Sequence, residues 1–364
     1  MIKTIEQKPM ATAQAAVGAR AALGLTVVFL LGAAAWWVTK QVYGLALPFG
    51  IPGKALEYPL WGALAGLAGN LLVKALGIRD LIRPGVRTEL FLKVGLVLMG
   101  ASISLTKVVT VGGGALIQTV VLISSVFFFS WWLSGKFGLD DRLRAVMSTA
   151  ISVCGVSAAI AAAGSVSAKK EQVTYITGLV IVVALPMMVL MPLLGGAIHL
   201  PEAVAGAWFG GNIDTTAAVI GAGTMYGKQA QEMATIVKST QNTLIGLIAF
   251  LLALYFVSKN PGEKGKASPR MIWERFPKFV LGFLAASILF TLGLINGGPG
   301  TPIDAVKSWA FTLAFVCMGL DLSLSDFKAM GWKPVAVFLI VTIFNTAVAL
   351  ATSYTVFTYI TPVR

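Results

Sequence analysis

The chain has 364 residues, 57% of them hydrophobic and only 12% charged, against roughly 45–50% apolar and 25% charged in soluble domains. That balance excludes a water-soluble enzyme or binding module and assigns the chain to a lipid bilayer. The net charge of +13 does not point to nucleic acid, because the Lys and Arg residues gather in loops between apolar stretches, which is a topological pattern.

Residues 1–20 read as a mildly polar cytoplasmic tail. The apolar stretch 21–39 is too long for a signal-peptide core and has no small-residue cleavage site after it, so it reads as a retained first helix, with its loop to residue 57. Hydropathy then places about eleven spans in all, at 21–39, 58–77, 88–106, 111–135, 143–167, 172–195, 203–225, 229–258, 277–294, 303–323 and 333–359. Gly, Ser, Thr and Asn interrupt the fifth, seventh and tenth of these, which makes continuous helix doubtful there. Residues 259–276 form the one substantial linker, a basic cytoplasmic loop carrying Lys264, Lys266, Arg270 and Arg275, with Lys278 just beyond.

The basic residues also set orientation. Arg79, Arg83 and Arg87, then Lys136, Arg142 and Arg144, then the linker, then Lys328 and Lys333 fall on alternate connections. The opposite loops carry Lys40, Lys54, Lys107, Lys169, Lys170 and Lys228. The bias predicts a cytoplasmic N-terminus and an external C-terminus. Ala68-Gly69-Asn70 echoes Gly210-Gly211-Asn212, and Val153-Cys154 echoes Val316-Cys317. The expected fold is therefore an all-α polytopic membrane protein with one extra helix and two inverted five-helix repeats, 58–195 and 203–359, with broken crossing helices. A second match, Met99-Gly100 with Met318-Gly319, implies a different register.

The most informative segment is a polar island, Gly210-Gly211-Asn212-Ile213-Asp214-Thr215-Thr216, inside apolar sequence. A carboxylate at membrane depth costs at least a few kcal/mol unless it faces a cavity, a pore or a partner charge. Asp214 suits a proton carrier or a sodium ligand, with Thr215, Thr216 and Asn212 as oxygen donors; the structural alternative is that Asp214 caps the following helix turn. Ser152-Val153-Cys154-Gly155-Val156-Ser157 is a second small, hydroxyl-bearing, glycine-broken segment. Both segments read as half-helices whose N-terminal N–H groups suit an anion, with Ser152, Gly155, Ser157, Gly210, Gly211 and Asn212 as substrate contacts; ordinary small-residue packing is the alternative.

Lys238 is the second unusual charge, with Thr235, Gln241 and Asn242 on its face. It is expected, with Asn242, to hold an anionic substrate or to pair with Asp214, or else to snorkel to an interface. Lys93 reads as a local ion pair with Glu89, Asp321 as interfacial, and Asn70 and Asn345 as helix-joining amides. Cys154 and Cys317 read as small packing residues, and the loop residue His199 has no second His beside it for a metal. No phosphate-binding Gly-rich loop, HExxH or Ser-His-Asp set is present, so no enzyme and no cofactor beyond a coupling proton or sodium ion is expected.

At these same segments the chain resembles the YeiH-like family of bacterial inner-membrane proteins, to which sulfate export is ascribed. The likeness runs from Leu60 to Val337, through Leu92-Lys93-Val94-Gly95-Leu96-Val97-Leu98-Met99-Gly100, the Ser152 and Asp214 segments, Ile236-Val237-Lys238, Gly319-Leu320 and Lys333-Pro334. That family is similar in turn to a broader group of cation/proton antiporters and anion transporters, which implies that the fifth and tenth spans are a broken, crossing pair. The chain departs from the family at the seventh span, where a His-Glu pair followed by Gln is common and this chain has Asp214-Thr215 and Ala218.

The expected function is a secondary transporter in a bacterial inner membrane, moving a small anion by alternating access. An anion channel and a non-transporting sensor or assembly partner docking through the basic linker are the alternatives. The expected partners are the anionic solute and the lipid bilayer, with no nucleic acid; glycine-rich helical faces also fit a homodimer.

Overall fold

In the computed structural model, residues 7–42, 58–259, 269–322 and 331–362 are described. Most of the basic linker, including Lys264 and Lys266, lies outside the described residues, as do Lys54, Lys328, residues 1–6 of the N-terminal tail and most of the loop after the first helix. Every regular element among the described residues is helical. In chain order they are α1 (Gln7–Val42), α2 (Tyr58–Ala75), α3 (Arg79–Ile82), α4 (Thr88–Gly100), α5 (Leu105–Lys136), α6 (Asp141–Ser152), α7 (Val156–Val166) and α8 (Lys170–Ala197). They continue with α9 (Glu202–Asn212), α10 (Thr216–Tyr226), α11 (Lys228–Thr243), α12 (Ile245–Lys259), α13 (Arg270–Arg275), α14 (Phe279–Thr291), α15 (Pro302–Asp321) and α16 (Lys333–Thr355). Six described segments are long and apolar enough to cross a bilayer by length and composition, so the chain is an all-α polytopic membrane protein, as expected.

The chain divides into two units. The first comprises Met1–Gly95 and Asp304–Leu322. Its core joins α1, α2 and α15 through Val28, Val73, Ile82, Leu313, Val316, Cys317 and Leu320. The helices α2 and α15 meet backbone to backbone: a Cβ at Gly319 would lie 2.4 Å from Ala63 O, and one at Gly66 would lie 2.1 Å from Val316 O. Only glycine permits that approach. Asn70, on α2, donates to Gly319 O and Leu322 O at the end of α15, which is the helix-joining role its sequence position predicts. The tenth predicted span is therefore one continuous helix, α15, and its small residues serve packing rather than a break.

The second unit, Leu96–Ile303 with Ser323–Arg364, holds both breaks. Helices α6 and α7 have 12 and 11 residues, roughly 18 and 16 Å at 1.5 Å per residue, each about half of a ~30 Å hydrocarbon core. They do not run on through the bilayer. Arg142 Nη1, at the start of α6, donates to Ser167 O just beyond α7 at 2.7 Å, and Gln172 Nε2 donates to Asp140 Oδ1 at 3.1 Å. The two half-helices thus form a re-entrant hairpin whose root brings 140–142 beside 167–172. Helices α9 and α10 do the same: Tyr226 Oη donates to Leu200 O at 2.5 Å, and Gln229 N donates to Glu202 Oε2 at 2.9 Å.

The hairpins enter from opposite ends. Helix α5 begins where Lys107 pairs with Glu232 of α11, beside the root of the second hairpin, and ends where Arg144 Nη2 donates to Trp131 O at 3.0 Å, beside the root of the first. Helix α8 links the two roots in the other direction. The fifth and seventh predicted spans are therefore half-way returns rather than crossings. One consequence bears on charge: Lys169 and Lys170 sit at the same end as Arg142 and Arg144, so the basic residues are more one-sided than eleven crossings would make them.

Candidate functional site

The tips of the two hairpins meet. A Cβ added to Gly155 would lie 3.2 Å from Asp214 O and 3.4 Å from Asp214 Cβ. The first tip is made by Val153, Cys154 and Gly155, the last with φ of +65°, a left-handed conformation that glycine adopts without the steric cost other residues carry. It also leaves space that a side chain would take from Val180 Cγ1, 2.5 Å from the same Cβ position. The second tip is made by Ile213, Asp214 and Thr215 in extended backbone at both flanks.

Unwinding a helix in an apolar interior strands carbonyls at the end of the first half and N–H groups at the start of the second. At the first tip the stranded carbonyls are met from α11. Lys238, 1% exposed, donates to Val153 O at 2.6 Å and to Gln241 Oε1 at 2.8 Å, and Gln241 Nε2 donates to Ser152 O at 3.0 Å. An ammonium at a helix C-terminus also complements the negative end of the helix dipole. The cap residue of α7 is Gly155, which has no side chain to offer its first turn. Ser157 stands exposed in its first turn.

The second tip is satisfied differently. Asn345, on α16, donates Nδ2 to Asn212 O at 3.1 Å, and Thr346 Oγ1 donates to Asn212 Oδ1 at 3.1 Å. The N-terminus of α10 is capped by Thr215 Oγ1, which accepts from Ala218 N at 3.2 Å. Asn242 Nδ2 donates to Thr216 Oγ1 at 3.2 Å. Asp214 itself is 2% exposed, and its Oδ2 has no hydrogen-bond partner; Asn242 Oδ1, Asn345 Oδ1 and Ser239 Oγ are buried without partners as well. Asp214, Asn242 and Asn345 belong to this tip or hydrogen-bond to it, and Ser239 follows Lys238 on α11. Three of the unpartnered atoms are pure acceptors, and the fourth is a hydroxyl that can also accept.

The residues singled out by sequence therefore separate. Gly155, Asp214, Thr215, Thr216, Lys238 and Asn242 come together at the two tips. Ser152, Gly210, Gly211 and Asn212 lie on the last turns of α6 and α9, which present carbonyls rather than N–H groups, so none of them is the half-helix N-terminus that an anion needs. Gly210 and Gly211 are packing positions: a Cβ at Gly210 would meet Val237 Cβ at 2.9 Å, and one at Gly211 would meet Gln118 Nε2 at 2.5 Å. Lys238 is spent on backbone and Gln241 rather than on Asp214. Thr215 is spent on its own helix.

Asn345 joins α16 to the end of α9, the helix-joining role its sequence position predicts. Gln241, three positions from Lys238, is a tip residue that sequence reading placed only on the Lys238 face. Lys93 pairs locally with Glu89 at 2.8 Å, as expected.

Comparison with known proteins gives the same region a family. The family model described as Conserved hypothetical protein 698 matches residues 23–338. A UPF0324 membrane protein of Rhodopirellula baltica is 35% identical over 348 residues, which cover 91% of this chain and 62% of that protein. One from Nitratidesulfovibrio vulgaris is 35% identical over 330 residues, covering 83% of this chain and 56% of that protein. The UPF0324 membrane protein TauZ of Paracoccus pantotrophus is 32% identical over 292 residues, covering 78% of this chain and 84% of TauZ. The chain thus spans less than two thirds of the first two relatives. No solved structure matches it. With a match that takes in both hairpins and relatives at this identity, the chain belongs to the UPF0324 family of membrane proteins.

Proposed function

We propose that the chain is a secondary active transporter that moves a small anion, such as sulfate, a sulfonate or a small organic acid, by alternating access coupled to a proton or a sodium ion. The observation that carries this reading is the meeting of two re-entrant tips, Gly155 against Asp214, deep in an apolar unit. Irregular backbone at membrane depth is tolerated where it is buried in protein or lines a cavity, and paired broken helices at the midplane are how secondary transporters build substrate sites.

The anion belongs at the start of α7. Its cap residue, Gly155, brings no side chain to the first-turn N–H groups, a helix N-terminus favours negative charge, and Ser157 adds a hydroxyl. Lys238 contributes positive potential nearby while holding the tip closed. The coupling ion belongs at Asp214, whose buried Oδ2 has no hydrogen-bond partner; a proton or a hard monovalent cation would give that oxygen a partner. By the positive-inside rule the root of the first hairpin faces the cytoplasm, and the membrane is the bacterial inner membrane.

The test is thermal stability of the detergent-purified chain and of Asp214→Asn, measured across sulfate, sulfonates, carboxylates, sodium and pH. Selective binding at about 100 times Kd raises stability by about 2.7 kcal/mol. The expected result is an anion-specific shift whose sodium or pH dependence is lost in Asp214→Asn. No shift with any solute in either protein would sink the reading.

A further inference from the structure

A groove of about 340 Å³ opens on the membrane-facing side of the second unit, between α5 and α12. Phe127, Phe128, Leu251 and Leu252 line it, with Ser124 the one hydroxyl, and Trp131 and Tyr255 close one end. Those two rings meet edge to face at 5.9 Å, and each carries a cation: Arg144 Cζ lies 4.4 Å from the centre of Trp131, and Lys259 Nζ lies 5.9 Å from that of Tyr255. Both cations draw on a single carboxylate. Arg144 Nη1 and Lys259 Nζ each lie 2.6 Å from an oxygen of Asp141. Two cations thus share one carboxylate at the mouth of an apolar groove, and Arg144 Nε is a buried donor without a partner. At the other end, the lining residues Ile123 and Ile248 rest on the cluster of Val153, Cys154, Ala158, Ala161, Ile245 and Ala249 that contains the first hairpin's tip.

We infer that this groove is a specific site for an anionic phospholipid, with an acyl chain between α5 and α12 and the phosphodiester at Arg144 and Lys259. Bilayer lipid covers any apolar face, but a concave face ending in cations selects a chain bearing a negative head. Aromatic rings at the level where apolar chain meets headgroup belong to the same arrangement. Because the inner end of the groove supports the Cys154 cluster, the bound chain buttresses the first hairpin.

The experiment uses the purified full-length chain in detergent, with binding read by native mass spectrometry and thermal stability. The probes are phosphatidylglycerol, phosphatidylcholine of the same acyl chains, and inorganic phosphate. The expected result is retention of phosphatidylglycerol with a raised midpoint, little effect of phosphatidylcholine, and none of phosphate. Lys259→Gln should weaken phosphatidylglycerol about fivefold, the worth of one basic side chain at an anionic headgroup, while Lys259→Arg retains it. Ser124→Trp, which fills the groove, should abolish the preference without touching the cations. Equal binding of the two lipids, a preference unchanged in both Lys259→Gln and Ser124→Trp, or a shift with phosphate alone would each overturn the assignment.

Discussion

The two hairpin tips touch, yet they are built from opposite chemistry. At the first, a buried ammonium and an amide satisfy carbonyls stranded by the break, and the following helix starts at Gly155, which has no side chain to cap with. At the second, the following N-terminus is capped by Thr215, and the carboxylate of Asp214 has an oxygen without a partner. A charge fully engaged with backbone is a structural part; a buried charge with an unmet atom is where a ligand or proton can act. The lesson is that Lys238 and Asp214, the two anomalous charges of the sequence, do different work. Lys238 holds the carbonyl of Val153 at the first tip, and Asp214 keeps a buried oxygen without a hydrogen-bond partner at the second.

The sharpest way to break this contrast is Lys238→Met. It leaves Val153 O and Gln241 Oε1 without their ammonium partner, a cost of about 2–6 kcal/mol at ~1–3 per group, so the variant should lose most of its thermal stability and fail to respond to any solute. The matched Asp214→Asn should fold with unchanged or raised stability, because a buried carboxylate with an unmet oxygen is removed. Melting curves of the two variants side by side decide the matter: equal losses would erase the distinction between a structural and a functional charge.

Next in size is Gly155→Ala. The φ of +65° disfavours any Cβ, and the new methyl would sit 2.5 Å from Val180 Cγ1 and 3.2 Å from Asp214 O. The expected loss is about 1–3 kcal/mol. Since the clash lies between the tips, solute-induced stabilisation should weaken by more than the fold does. A variant that melts normally and still responds to anion would show that the tips do not need to meet. Thr215→Ala should cost about 1 kcal/mol through loss of the α10 cap, checked by the same melts. It should leave the sodium or pH response in place, because the Thr215 hydroxyl is committed to Ala218 N.

Much of this site was readable from residue order alone. Gly, Ser, Thr and Asn within otherwise apolar runs mark both breaks to within a residue or two, and a lone Asp and a lone Lys mark the chemistry. The return of each broken segment was not readable. Residues 143–167 and 203–225 are long and apolar enough to pass for crossings, and hydropathy records length and composition rather than direction. What reverses the chain is tertiary: Arg142 reaching Ser167, Glu202 reaching Gln229. The same limit inverted the ends, since Ser152 and Gly210 look alike whether a half-helix starts or stops there. Nor can a sequence show that an ammonium will be consumed by a main-chain carbonyl 85 positions away.

The smallest expected effect concerns what holds the first hairpin in place, its tip or its root. At the root, Asp141 pairs with Lys259 and Arg144, and the hydrogen bond from Lys259, with the charges of both cations, holds its carboxyl below the ordinary value of 3.8. A carboxyl lowered on folding contributes stability above its unfolded value, and loses that contribution as pH falls through the lowered one. The window is therefore acidic, beneath 3.8. Asp141 is 36% exposed on its side chain and Lys259 51%, so solvent screening keeps the pair weak. Asp141→Asn should lower the midpoint slightly at neutral pH, and its melting curve should merge with that of the parent once pH has fallen below the lowered value. A loss of the size expected for Lys238→Met would mean that the root, not the ammonium at the tip, fixes the first hairpin, and Lys238 would then be free to serve the substrate.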